Sequence, residues 1–304
     1  MTGSLKFGVC LPNYGEVCSA DSLRTVADAA ERLGYDSLWT TDHILMPPNS
    51  GTPYERILDS VTTLGYLAGI TSKVKLGVSS LIMTMRNPVV VAKQLMTLDN
   101  LSSGRLILAT SVGWNETEFK HLGANFQNRG KRLDENISLL RTLWGGGLVK
   151  FEGEQSNLAF EEAVSDPRPV QEHLTIWIAG NSKAAMTRSI RLGDGWHPNV
   201  YPIEEFRRLV AEFRQLPGGT NKPICVRIGL NIRSSSREYT GPQGEKRLIL
   251  TGDMTGNRTT ISELSQLGVE YFVISPSPDG KTSIEEQIDS LEKFSTHVIK
   301  CVRD

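Results

Sequence analysis

The chain has 304 residues, of which 39% are hydrophobic and 22% are charged, and its formal net charge is −1. This composition is ordinary for a globular protein, and the lack of a basic excess argues against a nucleic-acid or membrane-surface partner. The four cysteines have neither metal-ligand nor disulfide spacing, so we expect no metal site. With no bilayer-length apolar run and no signal-peptide pattern at its start, the chain is expected to be cytoplasmic.

Short β-rich runs alternate with longer amphipathic runs about eight times along the chain. The predicted strands are 5–12, 37–41, 74–82, 106–112, 174–179, 196–199, 224–232 and 271–275. The predicted helices are 21–33, 57–70, 88 to 103–104, 129–144, 184–192, 203–215, 261–267 and 284–302. This alternation predicts an α/β fold with a parallel sheet covered by helices. Eight units, with no GxGxxG fingerprint after the first strand, favour a single (β/α)8 TIM barrel spanning residues 1–304 over an open sheet.

Two polar stretches interrupt the alternation. Residues 147–170 follow the helix after strand four, and residues 233–256 follow strand seven. Loops of this length are usually lids, binding loops or disordered segments. We therefore expect insertions at both places, and we expect the 147–170 segment to close over the site.

The active sites of such barrels lie at the carboxyl ends of the strands. His43 follows strand two directly, where an imidazole could exchange a proton near neutral pH, although it could equally hydrogen-bond a loop. Asp42 beside it need not orient it, because adjacent side chains often point apart, and we expect Asp42 to contact the cofactor. His197, at the end of strand six, is a weaker candidate for contact with a substrate.

Gly180, Asn181 and Ser182 come directly before a predicted helix. Backbone N–H groups at a helix N-terminus bind phosphate well, so this segment is a candidate cofactor-phosphate site. A simple N-cap role for Asn181 or Ser182 is the alternative, and both roles are compatible.

Tryptophans divide into two groups by position. Trp39 and Trp114 lie near the predicted mouth of the barrel, where they could stack on a planar substrate or ring. Trp144 and Trp177 fall within a helix and a strand, and we expect them in the core.

Short motifs in a fixed order resemble the bacterial luciferase-like monooxygenase family, specifically its branch of coenzyme F420 (deazaflavin)-dependent oxidoreductases. The resemblance covers nearly the whole chain. Its clearest pieces are GYDSLWTTDH at 34–43, RNP at 86–88, GWNE at 113–116 with EF at 118–119, IWIAG at 176–180 and GDGW at 193–196. Val112 stands where some sugar-phosphate-oxidising relatives have a catalytic glutamate, which argues against a hexose phosphate substrate.

The resemblance implies a flavin or deazaflavin ring across the barrel mouth, with its phosphate near the later strands. His43 matches the family histidine beside the reactive face of the ring. The Ser79–Ser80 bond matches a non-prolyl cis peptide that forms a bulge behind the ring. The strand-four positions expected to approach the ring are Thr110, Ser111 and Asn115.

Three functions remain open from the sequence. The first is an F420-dependent oxidoreductase that moves a hydride to or from a small organic molecule. The second is an FMN-dependent monooxygenase that uses O2 and reduced flavin from a separate reductase. The third, of a different class, is a non-catalytic flavin-binding barrel. The resemblance also implies a homodimer, formed through the helices flanking strands two and three.

Overall fold

An eight-stranded parallel β-barrel forms the centre of the computed structural model, which describes residues 4–303. The strands of the chain are β1 (Lys6–Cys10), β2 (Ser37–Thr40), β3 (Lys75–Leu81), β4 (Leu106–Thr110), β5 (Gly147–Glu152), β6 (Ala159–Ser165), β7 (Ile176–Ala179), β8 (Gly195–His197), β9 (Ile224–Leu230), β10 (Glu238–Thr240), β11 (Lys246–Leu250) and β12 (Val269–Ser275). The barrel order is β1-β2-β3-β4-β7-β8-β9-β12, and β12 pairs back onto β1. All of these pairings are parallel, which confirms the predicted TIM barrel.

Helices cover the outside of the barrel. They are α1 (Ala20–Arg32), α2 (Ser60–Ile70), α3 (Pro88–Leu101), α4 (Glu116–His121), α5 (Arg129–Trp144), α6 (Lys183–Arg191), α7 (Ile203–Gln215), α8 (Met254–Gln266), α9 (Ile284–Phe294) and α10 (Lys300–Arg303). The short α4 was not predicted, and α8 starts seven residues before the predicted 261, inside the segment assigned to the second insertion. The run predicted as 284–302 is divided by a π-helical turn at Ser295–Ile299. No helix within residues 4–303 has the length and apolar character needed to cross a membrane.

The lower barrel interior is filled by aromatic side chains. Trp39 is fully buried, stacks on Trp177 at a centroid distance of 5.3 Å, and donates from Nε1 to Ser37. Glycines on the neighbouring strands make room for it, because a Cβ on Gly8 or Gly77 would lie 2.4 Å from an atom of the indole. Trp39 therefore belongs to the barrel core, contrary to the expectation that it stacks on a ligand.

The first insertion, 147–170, contains the antiparallel hairpin β5–β6, which lies along α5 on the outside of the barrel. Near its tip, the backbone N–H groups of Gln155 and Ser156 donate to Glu135 of α5, both at 2.8 Å. The hairpin is thus held on the helix layer, and none of its residues lines the cavity at the barrel mouth. The expectation that this segment closes over the site is wrong.

The second insertion reaches the mouth instead. Its strands β10 and β11 form an antiparallel pair, and β11 adds in parallel to the carboxyl end of β9 at Ile249–Gly229 and Leu250–Leu230. The space is available because β8 has only three residues and pairs with β9 through Trp196 and Ile224 alone. The turn between β10 and β11 is thereby positioned over the barrel mouth, where Pro242 and Gln243 line the cavity.

Candidate functional site

A cavity of about 660 Å3 opens at the carboxyl ends of the barrel strands. This volume lies within the usual range of small-molecule sites. Most of the residues predicted from the sequence line it, namely Asp42, His43, Ser79, Ser80, Ser111, Trp114, Gly180, Asn181, Ser182 and His197. Their roles in binding or catalysis stay predictions, but the fold brings them to one place.

His43 forms a buried pair with Glu118 of α4. The Nδ1 atom of His43 lies 2.7 Å from Oε2 of Glu118, and the two side chains are 5% and 1% exposed. An ionised carboxylate can only accept, so Nδ1 donates and carries a proton. Nε2 has no hydrogen-bond partner within residues 4–303, and His43 lines the cavity, so Nε2 is the nitrogen that is free to meet a ligand.

Glu118 is held in place by more than the imidazole. Its Oε1 accepts the backbone N–H groups of Ile44 at 2.6 Å and Leu45 at 3.2 Å. Burial raises the pKa of Glu118, but the hydrogen bond and charge of His43 and the two N–H groups lower it by more, so the net pKa lies below its usual value. The carboxylate is therefore ionised at neutral pH and accepts the hydrogen bond from Nδ1 of His43.

The imidazole of His43 is also fixed by two aromatic rings. It stacks on Tyr54 with centroids 4.8 Å apart and meets Trp114 edge-on at 5.8 Å. Tyr54 and Trp114 both line the cavity. The ring of His43 therefore has a defined plane as well as a defined tautomer.

Asp42 faces away from His43, as the sequence allowed. Its Oδ1 accepts from Ser60 at 2.7 Å and Arg86 at 2.6 Å, and its Oδ2 accepts the backbone N–H of Ile82 at 2.9 Å. Both oxygens are thus occupied by protein donors in a side chain with no exposure. Asp42 is therefore a positioning residue for the end of β3, and the prediction that it binds a cofactor is not supported by its contacts.

The Ser79–Ser80 peptide bond is cis, as the resemblance implied, and the pairing of β3 with β4 changes register there, between Val78 and Leu81. Ser79 and Ser80 both line the cavity. Thr110 does not, because it is fully buried and its hydroxyl donates to the Leu81 carbonyl at 2.9 Å. Ser111, the next residue, does reach the cavity.

Asn115 likewise lies outside the cavity wall. It is the N-cap of α4, and its side chain accepts the backbone N–H of Glu118 at 3.0 Å. Its contribution to the site is therefore indirect, since it fixes the start of the helix that carries Glu118.

His197 forms part of the cavity floor with both ring nitrogens occupied. Nδ1 lies 2.7 Å from the Cys225 carbonyl, which can only accept, and Nε2 lies 2.8 Å from the Ser79 hydroxyl. Burial lowers the pKa of His197 to about 4, and the nearby Arg227 cation adds to this effect, against the opposing hydrogen bond to Cys225. His197 is therefore neutral at pH 7, and it supports Ser79 rather than offering a free nitrogen to a substrate.

The N-terminus of α6 forms another side of the cavity. Gly180 has φ +123, a conformation that favours glycine, and Ser182 caps the helix by accepting from Ala185 at 3.2 Å. The Asn181 side chain is used by the protein, since it bridges the backbone N–H and carbonyl of Asn199. The predicted N-cap role is thus correct for Ser182. The N–H groups of the first helical residues have no acceptor within the helix, so they could bind a ligand.

Several cavity residues were not predicted from the sequence. Arg129 opens α5 and lines the cavity near α6, and its buried Nε has no partner in the described part of the chain. Glu118, which contacts His43 but does not line the cavity itself, lay inside a recognised motif, and nothing in the local sequence indicates a partner 75 positions away. Arg227 in the middle of β9 and Arg247 near the start of β11 had no sequence signal that pointed to the cavity.

Within residues 4–303, no group of three or more His, Cys, Asp or Glu side chains could hold a metal ion. The polar groups at the cavity include His43 with its partner Glu118, several hydroxyl groups and three arginines.

Comparisons with known proteins agree with this fold. The sequence is 26% identical over 317 aligned residues to the FMNH2-dependent dimethylsulfone monooxygenase of Pseudomonas putida, covering 98% of this chain and 84% of that protein. The fold matches the crystal structure of the monooxygenase RslO1 from Streptomyces bottropensis, with a TM-score of 0.79 at 22% identity, covering 98% of this chain and 99% of that one. It also matches an F420-dependent secondary alcohol dehydrogenase, with a TM-score of 0.75 at 17% identity, covering 99% and 100% of the two chains.

The family model described as luciferase-like monooxygenase matches residues 5–221, which is well over half of the chain. That range contains β1 to β8 and the whole His43–Glu118 pair. The chain therefore belongs to the luciferase-like monooxygenase family, as its motifs predicted.

Proposed function

We propose that this protein is an oxidoreductase that binds the deazaflavin F420 and moves a hydride between it and a small organic substrate. The observation that carries the proposal is the buried His43–Glu118 pair, which presents one free imidazole nitrogen to the cavity. A transferred hydride leaves or creates charge on a substrate oxygen, and a histidine fixed by a carboxylate is suited to exchange the matching proton.

The residues present fit a flat ring with an anionic tail. The cavity of about 660 Å3 is bordered on one side by the Ser79–Ser80 bulge and Ser111. On another side, Gly180, Asn181 and Ser182 lead into the N-terminus of α6, and Arg129, whose Nε has no partner in the described residues, lines the same cavity. A helix N-terminus and an arginine together suit a phosphate group.

When bound, a deazaflavin supplies or accepts the hydride. In the reducing direction, His43 would give the proton on Nε2 to the substrate oxygen, and Glu118 would have stabilised the imidazolium before that step. In the oxidising direction, neutral His43 would take the hydroxyl proton, and the same carboxylate would stabilise the cation formed. The turn containing Pro242 and Gln243 would limit water at the open side.

A second candidate is an FMN-dependent monooxygenase that uses O2. The observation that favours it is the similarity to a dimethylsulfone monooxygenase described as FMNH2-dependent, which extends over 98% of this chain. In that case a separate reductase would be the partner that supplies reduced flavin. The same cavity would hold the ring of either cofactor.

Anaerobic titration with reduced F420 and with reduced FMN separates the candidates. Quenching of tryptophan fluorescence reports binding, because Trp114 lines the cavity. We expect saturable binding of F420 and weak binding of FMN; the opposite order of affinities would replace the first proposal with the second. Cofactor binding without turnover of any tested ketone, alcohol or sulfur compound would indicate the third possibility, a non-catalytic barrel.

We further propose that the chain acts as a cytoplasmic homodimer of one-domain subunits. Arg303 of α10 donates to the Leu5 carbonyl at 3.2 Å, so the end of the described chain returns to its start. On α3, which flanks β3, the apolar side chains of Val90 and Leu101 are 53% and 68% exposed. Exposed apolar groups on a flanking helix suit a subunit interface, and light scattering of the purified protein measures the mass directly.

A further inference from the structure

A second cavity, of about 830 Å3, lies beside the first at the barrel mouth. It is bordered by residues at the ends of β9 and β12, such as Gly229 and Ser275, and by the loop after β1 at Gly15. The two cavities share a wall, which consists of Tyr54, Arg227, Pro242 and Arg247. The mouth is therefore divided into two compartments that meet at these four side chains.

Arg227 is the unusual member of the shared wall. It donates from NH1 to the Ser79 carbonyl at 2.8 Å and from NH2 to the Tyr14 hydroxyl at 3.2 Å, which uses two of its five N–H groups. No carboxylate of residues 4–303 lies within ion-pair distance of it, whereas its neighbour Arg247 is paired with Glu245. Arg227 is thus a mostly buried cation with free donors and no counter-charge from the described chain.

We propose that the second cavity is the substrate compartment and that Arg227 binds an anionic head group, a carboxylate or a sulfonate, on the substrate. The proposal rests on the proposed function, since it assigns the first cavity to the redox ring. An unpaired buried guanidinium attracts an anion strongly, and its free N–H groups match two oxygens of one planar or tetrahedral acid group. Tyr54 and the prolines Pro53 and Pro278 offer apolar surface to the rest of the molecule.

The shared wall also connects the head group to the proton donor. Tyr54 borders both cavities and stacks on His43 at 4.8 Å, so a substrate held at Arg227 is next to the side chain that supports His43. A substrate anchored there can extend its reacting carbon into the first compartment. Arg227 therefore fixes the position of the substrate and also pairs with its negative charge.

The rim of the second cavity limits how much charge the substrate carries. The exposed acids Glu16, Glu55 and Asp279 line it together with Arg56 and Lys281. The three acids outnumber the two exposed cations of the rim and disfavour a multiply charged anion such as a polyphosphate, whereas Arg227 is the unpaired cation of the wall, since Arg247 is paired with Glu245. The charge pattern favours a monoanionic organic acid.

Calorimetric titration of the protein without cofactor tests the proposal with two probes of the same shape, hexanoate and hexanamide. We expect wild-type protein to bind hexanoate at least about tenfold more tightly than hexanamide, a difference typical of a charge-assisted pair. Arg227→Gln should remove the preference and Arg227→Lys should keep part of it. Arg207→Gln, which removes an equal charge from an exposed position on α7, should leave it unchanged.

Equal binding of the two probes by the wild type, or a preference that survives in Arg227→Gln, would overturn the proposal. The wild-type comparison stands even if Arg227→Gln does not fold. Because no cofactor is present, the result is independent of the cofactor titration: failure to bind F420 or FMN would refute the proposed function alone. Cofactor binding with equal affinity for both probes would refute only the role of Arg227.

Discussion

Replacement of Glu118 by glutamine tests the central pair of the site with almost no change of shape. In the native protein, Oε1 accepts two backbone N–H groups and Oε2 accepts from His43. The glutamine oxygen must stay with the backbone donors, so its NH2 group would face Nδ1 of His43. The imidazole would then accept at Nδ1 and carry its proton on Nε2, and its cationic form would lose its counter-charge.

The size of the effect follows from burial. Two unit charges about 4 Å apart attract each other by about 4 kcal/mol at an effective dielectric constant of about 20. His43 and Glu118 are 5% and 1% exposed, so solvent screens the pair little. If the transition state carries about half of the full cationic charge, Glu118→Gln raises the barrier by about 2–3 kcal/mol and lowers kcat roughly 100-fold.

Single-turnover kinetics under anaerobic conditions measure this step, and 15N NMR of labelled histidine measures the tautomer of His43. Glu116→Gln is the matched control, because Glu116 lies on the same helix but is exposed and forms only a loose pair with Lys120 at 3.8 Å. A Glu118→Gln enzyme with kcat within about threefold of the wild type and an unchanged tautomer would refute the reasoning.

Three further substitutions and one interface test follow from the structure. Trp39→Ala should lower the free energy of unfolding by about 3–5 kcal/mol in a denaturant titration while cofactor affinity at low temperature is kept, because the indole fills the barrel core; a selective loss of affinity would restore a ligand-stacking role. The pKa of His197 falls to about 4 on folding, so below about pH 6.5 the unfolded chain takes up a proton that the folded state does not. The free energy of unfolding should therefore drop by about 3 kcal/mol between pH 6.5 and pH 4. His197→Asn should flatten that drop, and an unchanged dependence of the free energy of unfolding on pH would contradict the assignment. Gly180→Ala should weaken cofactor binding several-fold in a fluorescence titration, because φ +123 is strained for alanine and the turn borders the cavity; unaltered affinity would remove this turn from the site. Leu101→Glu should shift the mass in light scattering from dimer to monomer, and a persistent dimer would place the interface elsewhere.

The two insertions show which features could be predicted from the sequence and which could not. Their positions were evident, because polar residues broke an otherwise regular alternation of strands and helices. Their roles were not: the 147–170 hairpin packs on α5, and the 233–256 segment covers the mouth. The difference arises from a pairing that no local pattern encodes, since β11 can join β9 only because β8 is too short to occupy its whole edge.

The individual site residues show the same division. The fold and the strand-end rule were sufficient to place His43, Ser79, Ser111 and Gly180 at the mouth, because parallel strands in a barrel all end on one side. Trp39 was misplaced because alternation along β2 turns its side chain into the barrel core below the mouth. Only the glycines opposite it, far away in sequence, show that the core has room for an indole.

The sequence by itself determined the barrel, the family and the end of the barrel where chemistry takes place, because hydrophobic periodicity and short motifs are local properties. Only the tertiary structure decided which carboxylate serves His43, which insertion covers the cavity, and that Arg227 lies without a counter-charge from the described chain between two compartments. Those features depend on side chains that are tens to hundreds of positions apart and meet only when the barrel closes.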